Sequence, residues 1–572
     1  MILNFSFKSP SVYVLLATTI NCYSFAQVGI NTSNPQSTLD INAGNTSLVQ
    51  GLLLPRLTSN EIRTMSQNLL SSSHNSLIVF ALNATTTGDF VTSKITEPGF
   101  YRYVYNGSGG TQKYWKKIEP TAFERIVQDG KSGIRIIDAD IQKYGLIGEN
   151  AVDVSYSDEN YVWLSTANGA RGDNSFAAGL NTISRGNAST AVGNKTEAGG
   201  NGSFSGGQNT RSVGANSFAY GEGSSANNAN SVVFGKTNVN SGSNSSIIAG
   251  RDNTITNAMN SAILSGHNNS IVFNNTAIDN YPYNSIGVAN NIVSGNSNSI
   301  IGSSASTKNV IVGGTNNVLS EGIYSIIGGG AGNKIRPSAA PYDYVWYASN
   351  TISGGEGNEI NADRSVIGGG DRNLIRLEGS GTYPQGAGMG VISGGQFNKI
   401  LYKGHFGSIM GGRGNNARGS YSFVTGASNV AQSVGEFAIG FFGTLYNPQY
   451  PNAYTHDGTW IVNLATTKDR LFNVGNGAAP SEFDFSTDIS SAYASRSDAF
   501  TILKNGQVGI DIDNFETNTT TAKLQVNGGI KISSPSNTLA GSACDNNNRG
   551  QIIFVEDNFY GCKSTGWVIL NN

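Results

Sequence analysis

The stretch NSFAAGLNTISRGNASTAVGNKT, Asn174 to Thr196, states one short phrase twice, and NSFAYG states it again at Asn216 to Gly221. Taking the phrase as Ser-x-x-x-Gly, its glycines fall at Gly179, Gly193, Gly207, Gly221 and Gly235, four consecutive steps of fourteen residues. This period constrains the fold more than any other feature of the chain. Fourteen residues supply two strands of about five plus two tight corners, one coil of a narrow β-solenoid. Side chains alternate across a strand, so Phe176 and Ala178 face one way while Ser175 and Ala177 face the other. Glycine is expected at a corner because a tight reversal needs positive φ or close backbone approach. The phrase continues with looser spacing through Gly250, Gly266, Gly330, Gly355, Gly370, Gly395, Gly412 and Gly426. Insertions such as RPSAAPYDYVWYAS separate some copies, as expected where loops leave one side of a stacked repeat. Asparagines in GRDNTI, GAGNKI and GEGNEI suit the corners and could bond one another from coil to coil.

So small a coil encloses one row of side chains and is poorly buried alone, even when stacked. Association of identical rolls around a common axis would bury a second apolar row, and a homotrimer is the expectation.

The phrase resembles the head repeats of trimeric autotransporter adhesins of the YadA type, with NSFAAG, ASTAVG and NSFAYG standing where that family has its Ser-x-Ala-x-Gly strands. The resemblance covers about Asn174 to Gly440. It implies a left-handed parallel β-roll in an elongated, trimeric, surface-displayed binding protein. The later repeats depart from the family in being richer in Gly-Gly, and the coiled-coil stalk and anchor barrel of that family are not recognisable.

The flanks read as small β modules. Gly29-Ile30, GLLLPRLT, SLIVF and the aromatic close YVYNG…YWKKI are similar to modules of phage-type tail-fibre proteins found among exported bacterial proteins. AKLQVNGGIKI repeats the logic of STLDINAG, and RGQIIFVEDNFYGCKSTGWVIL echoes the first aromatic close. The expected organisation is a signal peptide over 1–26, a tail-fibre-like module over 27–120, a connector over 121–173, the roll over 174–441, a β-rich neck over 442–530 and a C-terminal β module over 531–572. The fold class is all-β.

Composition fits a rod better than an enzyme. Charged residues are 13% of the chain, against about a quarter in average domains, and there are 73 glycines among 572 residues. A net charge of -2 provides no broad positive field, which argues against nucleic-acid binding. The N-terminus carries Lys8, an apolar stretch from Val12 to Ile20 and small residues up to Ala26, the pattern of a secretory signal cleaved between Ala26 and Gln27. No later stretch has the ~20 apolar residues of a membrane-spanning helix. In an exported protein Cys544 and Cys562 are expected to form a disulfide.

Motifs for chemistry are sparse, and neither a catalytic set nor a cofactor is expected. His74, His267, His405 and His456 lie apart, without metal-ligand spacing. VFGKT, Val233 to Thr237, lacks the first glycine of a phosphate loop. Asp252 and Asp371 take similar places after their glycines, but Lys236, Glu356 and Gln396 break the acidic series that a calcium-binding repeat requires. The acid pairs Asp158/Glu159 and Asp511/Asp513 sit in polar turns, and a glycosidase-like cleft would need two carboxyls a few ångströms apart. The aromatic cluster YRYVYNGSGGTQKYWKKI could stack on a sugar or pack into its own module. The functional expectation is adhesion or surface recognition, with a glycan or matrix ligand. A tail-spike-like polysaccharide hydrolase or lyase and a structural spacer are the alternatives.

Overall fold

A computed structural model describes residues 28–41, 52–86, 91–106, 112–118, 122–136, 143–157, 168–273, 289–302, 308–336, 349–377, 388–451, 464–479, 495–532 and 544–570, apart from 31, 36, 37 and 69. The leader and its Ala26/Gln27 junction lie outside these residues, as do Asp158, Glu159 and His456. The chain divides into two compact units, residues 1–122 and 123–572.

In the first unit, strands Arg56–Leu57, Ile78–Ala81, Gly99–Asn106 and Gln112–Lys117 form one sheet, with helix Ser59–Asn68 packed beside it. Thr58 caps this helix: its hydroxyl and backbone N–H both donate to Glu61, at 2.8 and 2.7 Å, and hold that carboxyl below its ordinary range. Tyr101, Tyr103 and Trp115 are fully buried against Ile62, Val79 and Ile95. Trp115 Nε1 donates to Ser66 Oγ at 2.7 Å, so the aromatic close packs into the module core. Separately, Val28–Ile30 pairs in parallel with Leu39–Ile41, and every large apolar side chain of this pair is exposed.

The second unit is dominated by a two-sheet β-roll. One sheet, here the long sheet, takes one strand from each coil, starting at Phe176–Leu180, Thr190–Asn194 and Phe204–Gln208 and ending at Phe437–Phe441. The facing sheet takes the alternate strands, sixteen in all, from Gly169–Ala170 to Val430–Ala431. Pairing is parallel and in register: Gly179, Gly193, Gly207, Gly221 and Gly235 are successive partners. The region expected to be a connector contributes strands Phe123–Gln128, Lys131–Ile136 and Val152–Tyr156 to the start of the long sheet. The neck contributes Arg470–Asn476, Asp498–Leu503, Val508–Ile510 and Leu524–Val526 to its other end.

The core is one row of side chains per sheet, and its size follows coil length. The fourteen-residue coils bury Ala177, Ala191, Ser205 and Ala219 opposite Ser184, Ala198, Ser212 and Ala226. From Ile247 onward the coils lengthen and isoleucine takes over on both sheets, as at Ile263, Ile271, Ile311, Ile327 and Ile335. A longer perimeter separates the sheets further, and a larger side chain fills the space to interior density. When the coils shorten again the core reverts to Val424, Ala431 and Ala438.

The two corners are unequal. The step from a long-sheet strand to the next facing-sheet strand is nearly constant: Phe176 to Ile183, Ser246 to Thr254, Ser408 to Asn416. The return step varies widely, from Ile183 to Thr190 up to Ser270 to Asn291. Every long insertion therefore leaves the roll at the same corner. The constant corner is fixed by a buried asparagine ladder. Asn317 accepts the Asn333 N–H on its Oδ1 at 3.0 Å and donates from Nδ2 to Gly313 O and Gly330 O, both at 3.0 Å. Asn253, Asn269, Asn298, Asn358, Asn373, Asn398 and Asn415 repeat the arrangement, each three residues after a glycine. A residue added between glycine and asparagine would take the amide out of its ladder.

The repeat glycines are not the corners themselves. Gly179 and Gly193 lie within strands, with φ of 114° and 127°, and the left-handed corner residue is Asn181 or Lys195 two positions on. What requires glycine is the neighbouring coil: a Cβ on Gly179 would sit 2.0 Å from the carbonyl oxygen of Gly193.

Candidate interaction surface

Of the candidate residues for chemistry, Asp252 meets His267, Asp511 and Asp513 share one depression, and the others stay apart. Asp252 accepts from Thr237 and lies 3.3 Å from both Arg251 Nε and His267 Nε2, and these contacts hold its carboxyl below the ordinary range. Asp371 accepts from Gln396 Nε2 at 2.6 Å. Among the described residues no group of three or more His, Cys, Asp or Glu is arranged to hold a metal. His74 bonds locally to Ser71 and Ser73, and His405 lies in the turn before Phe406, far along the chain from either. In the VFGKT stretch Gly235 belongs to the glycine column and Lys236 pairs with Glu222 at 2.9 Å. Asp511 and Asp513 line an open depression with Gln525, Val526 and Asn527, but Asp513 Oδ1 accepts the Asp498 N–H at 2.7 Å. The glycines Gly193, Gly207, Gly221, Gly235 and Gly250 each stand against the carbonyl of the next coil's glycine, and so they pack coil on coil. Cys544 and Cys562 are disulfide-bonded, with Cα atoms 5.4 Å apart, and join the C-terminal three-stranded sheet to the segment before it.

The roll's two outer faces differ in chemistry. The facing sheet presents Arg185, Glu197, Arg211, Lys334, Glu359 and Arg376 among its outward residues. Glu197 bridges Arg185 and Arg211, at 2.7 and 2.8 Å. The long sheet presents two outward columns, one passing through Phe176, Phe218, Val310 and Phe437, the other through Val192, Ile248, Val312 and Met410. No position of either column between Phe176 and Val474 carries a charged side chain. Phe204 stacks on Phe218 with centroids 4.6 Å apart, and Phe423 on Phe437 at 4.5 Å. Strand alternation sets Phe176 opposite Ser175 and Ala177. The structure puts Ser175 and Ala177 inside and the phenylalanine outside, because a coil this narrow has room only for small residues.

Each end of the roll is closed by a buried arginine. At the N-terminal end Arg135 Nε pairs with Asp153 Oδ2 at 3.0 Å, its guanidinium lying over the Tyr144 ring. At the C-terminal end Arg470 Nη2 reaches Glu516 at 2.8 Å and Asp498 at 3.1 Å, over the Tyr446 ring. Burial pushes the carboxyl of the neighbouring Glu436 above its ordinary range, although two backbone N–H groups and the charge of Arg470 oppose the shift.

With this geometry in hand, comparison with known families is informative at one end of the chain. A family described as the phage tail like trimerisation region matches residues 27–131. The match covers the first unit from residue 27 onward and the opening strand of the long sheet, and it supports a trimeric, fibrous protein with phage-tail-like character. No curated protein matches the chain.

Proposed function

We propose that this is an exported homotrimeric fibre whose β-roll acts in adhesion or surface recognition, with a head of the trimeric-autotransporter type. The observation that carries the reading is the coupling of a tail-like trimerisation region to a long roll with one face free of charge and one that carries charged residues. A rod of this kind offers reach and a repetitive surface, and three chains multiply contacts that are individually weak. The leader over residues 1–26 supports export, and the Ser-x-Ala-x-Gly phrase supports the adhesin comparison. The ligand class is a glycan or an extracellular matrix surface, and the fibre is not an enzyme.

Light scattering on residues 27–572 is expected to give a mass of three chains with an elongated hydrodynamic radius. Binding of that species to immobilised polysaccharides and matrix proteins then tests recognition. A monomeric mass overturns the fibre, and release of reducing ends from a bound polysaccharide overturns the non-enzymatic assignment.

A further inference from the structure

We infer that the variable corner of the later coils, along the row Lys308, Tyr324, Arg364, Met389, Phe406 and Tyr421, is a binding site for an acidic polysaccharide. The inference rests on the recognition reading above and adds where on the roll the ligand sits and what chemistry it has.

The first observation is backbone conformation. Two places before each long-sheet strand of the roll the chain is left-handed, with φ between 50° and 68°, Ser349 before Thr351 excepted. These positions form one row along the variable corner, because successive long-sheet strands pair in register. Left-handed backbone suits glycine and asparagine, and a bulky side chain there carries a steric cost. From Asn174 to Ala289 the row keeps to small residues: Asn174, Asn216, Asn230, Asn244 and Asn260, with alanine or glycine between. Beyond Ala289 the same backbone carries the lysine, arginine, methionine and three aromatic residues of the proposed site, and at Gly435 the row returns to glycine.

The second observation is that burial does not offset this cost. The constant corner also holds left-handed phenylalanines, Phe397 and Phe442, but these are only 7% and 4% exposed. In the row, Tyr324 is 46% exposed, Met389 39% and Tyr421 38%. Phe406 stacks on Tyr421 with centroids 4.6 Å apart, and Lys308 Nζ lies 4.9 Å from the centre of the Tyr324 ring. Strained positions that folding does not call for are a mark of functional sites.

The third observation is the match of shape and charge to a linear polymer. From Lys308 to Tyr421 the row takes six steps between coils, roughly 29 Å at about 4.8 Å each. A strip that long and one residue wide falls far short of the ~800 Å² that a folded partner would cover. The row contains two cations and no carboxylate. Arg336 and Arg376 are exposed where the facing sheet leads into the same corner, with Glu359 3.6 Å from Arg376. Glu321 and the half-buried Asp363 are the acids nearest the row in sequence. Tyrosine and phenylalanine offer apolar faces to sugar C–H groups, while lysine and arginine pair with carboxylate or sulfate.

The test uses the intact chain and its variants Tyr324→Asn, Tyr421→Asn and Arg364→Ala. Immobilised alginate and dextran sulfate are the carboxylated and sulfated probes, with neutral dextran and fibronectin beside them. The unsubstituted chain is expected to bind one or both acidic polymers and not dextran, and each variant to bind at least tenfold more weakly. Because asparagine suits left-handed backbone, the tyrosine variants should melt no lower than the unsubstituted chain, which separates lost recognition from lost folding. Should one tyrosine variant melt early, the other carries the comparison. Binding of an acidic polymer that all three variants retain overturns this site and leaves the recognition reading standing. Equal binding to dextran overturns the acidic class, and variant-sensitive binding to fibronectin alone overturns the polysaccharide. A chain that binds none of the four overturns both the site and the recognition reading.

Discussion

At the scale of single residues, the glycine that ends each repeat phrase is required by the neighbouring coil rather than by the turn. A Cβ on Gly193 would meet Gly207 O at 2.1 Å, and one on Gly221 would meet Gly235 O at 2.0 Å, both from backbones with φ near 130°. Gly193→Val and Gly221→Val should each cost about 3 kcal/mol or more, combining left-handed strain with overpacking. Gly354 has nothing within 4 Å of its missing Cβ and no positive φ, so Gly354→Ala should leave the melting temperature almost unchanged. Thermal unfolding of the three variants side by side checks this, and equal melting points would refute the contact. Asp363 supplies a second residue-scale prediction. Burial pushes its carboxyl up to about 6, with Arg364 opposing. Because the folded pKa is raised, its protonated form favours folding, and the associated stability is present below pH 4 and lost as pH rises towards 6. The melting temperature of the native protein relative to Asp363→Asn should therefore fall between pH 4 and 6, and a flat difference would remove this role.

At the scale of elements, each half-coil has its own tolerance. The constant half carries the asparagine ladder, whose amides are buried and fully bonded, while the variable half rejoins the roll through a looser series that includes Ser261, Asn290 and Asn309. Inserting three residues between Ser320 and Glu321, on the variable side, is expected to shift the melting temperature little. The same insertion between Gly330 and Ala331 separates Asn333 from Asn317 Oδ1 and from Gly355 O. At about 1 kcal/mol per bond, and more for buried groups left unpaired, it should destabilise by several kcal/mol. Equal tolerance at both sites, read by thermal melting, would deny the ladder its part in setting coil length. Much of this was legible in the sequence. The fourteen-residue period announced the coil, and asparagines recurring after glycines announced side-chain bonding between coils. The direction in which Phe176 points was not legible, because alternation defines two faces without naming the inner one. The volume available inside a coil decides it, and that depends on the separation of two sheets. Nor was the role of 121–173, since the three strands it adds to the long sheet lack the phrase and join the sheet only by pairing with it. The paired arginines were equally hidden: Arg135 and Asp153, or Arg470 and Asp498, are neighbours only after the roll has stacked.

At the scale of the whole molecule, a stack of coils is a quasi-one-dimensional object whose ends are its weak points. Each terminal coil exposes a row of unpaired backbone groups and one uncovered core layer, so an uncapped roll frays or joins another edge to edge. The chain closes both ends with the same device: a buried arginine, over a tyrosine ring, paired with carboxylates. Arg470 also donates to Thr444 O at 2.9 Å, tying the neck strands to the segment that leaves the last coil. Arg470→Met would leave Asp498 and Glu516 buried without their cation, a loss of about 3–5 kcal/mol at that end. Because coils are coupled mainly to their neighbours, the loss should stay local at first. Hydrogen exchange should accelerate in Phe437–Phe441 and Phe423–Val424 well before it changes near Phe176. Arg135→Met should produce the opposite gradient, starting at Val152–Tyr156 and Phe176–Leu180. Uniform acceleration along the roll in either variant would mean that it unfolds as one cooperative block and that the arginines are not its caps.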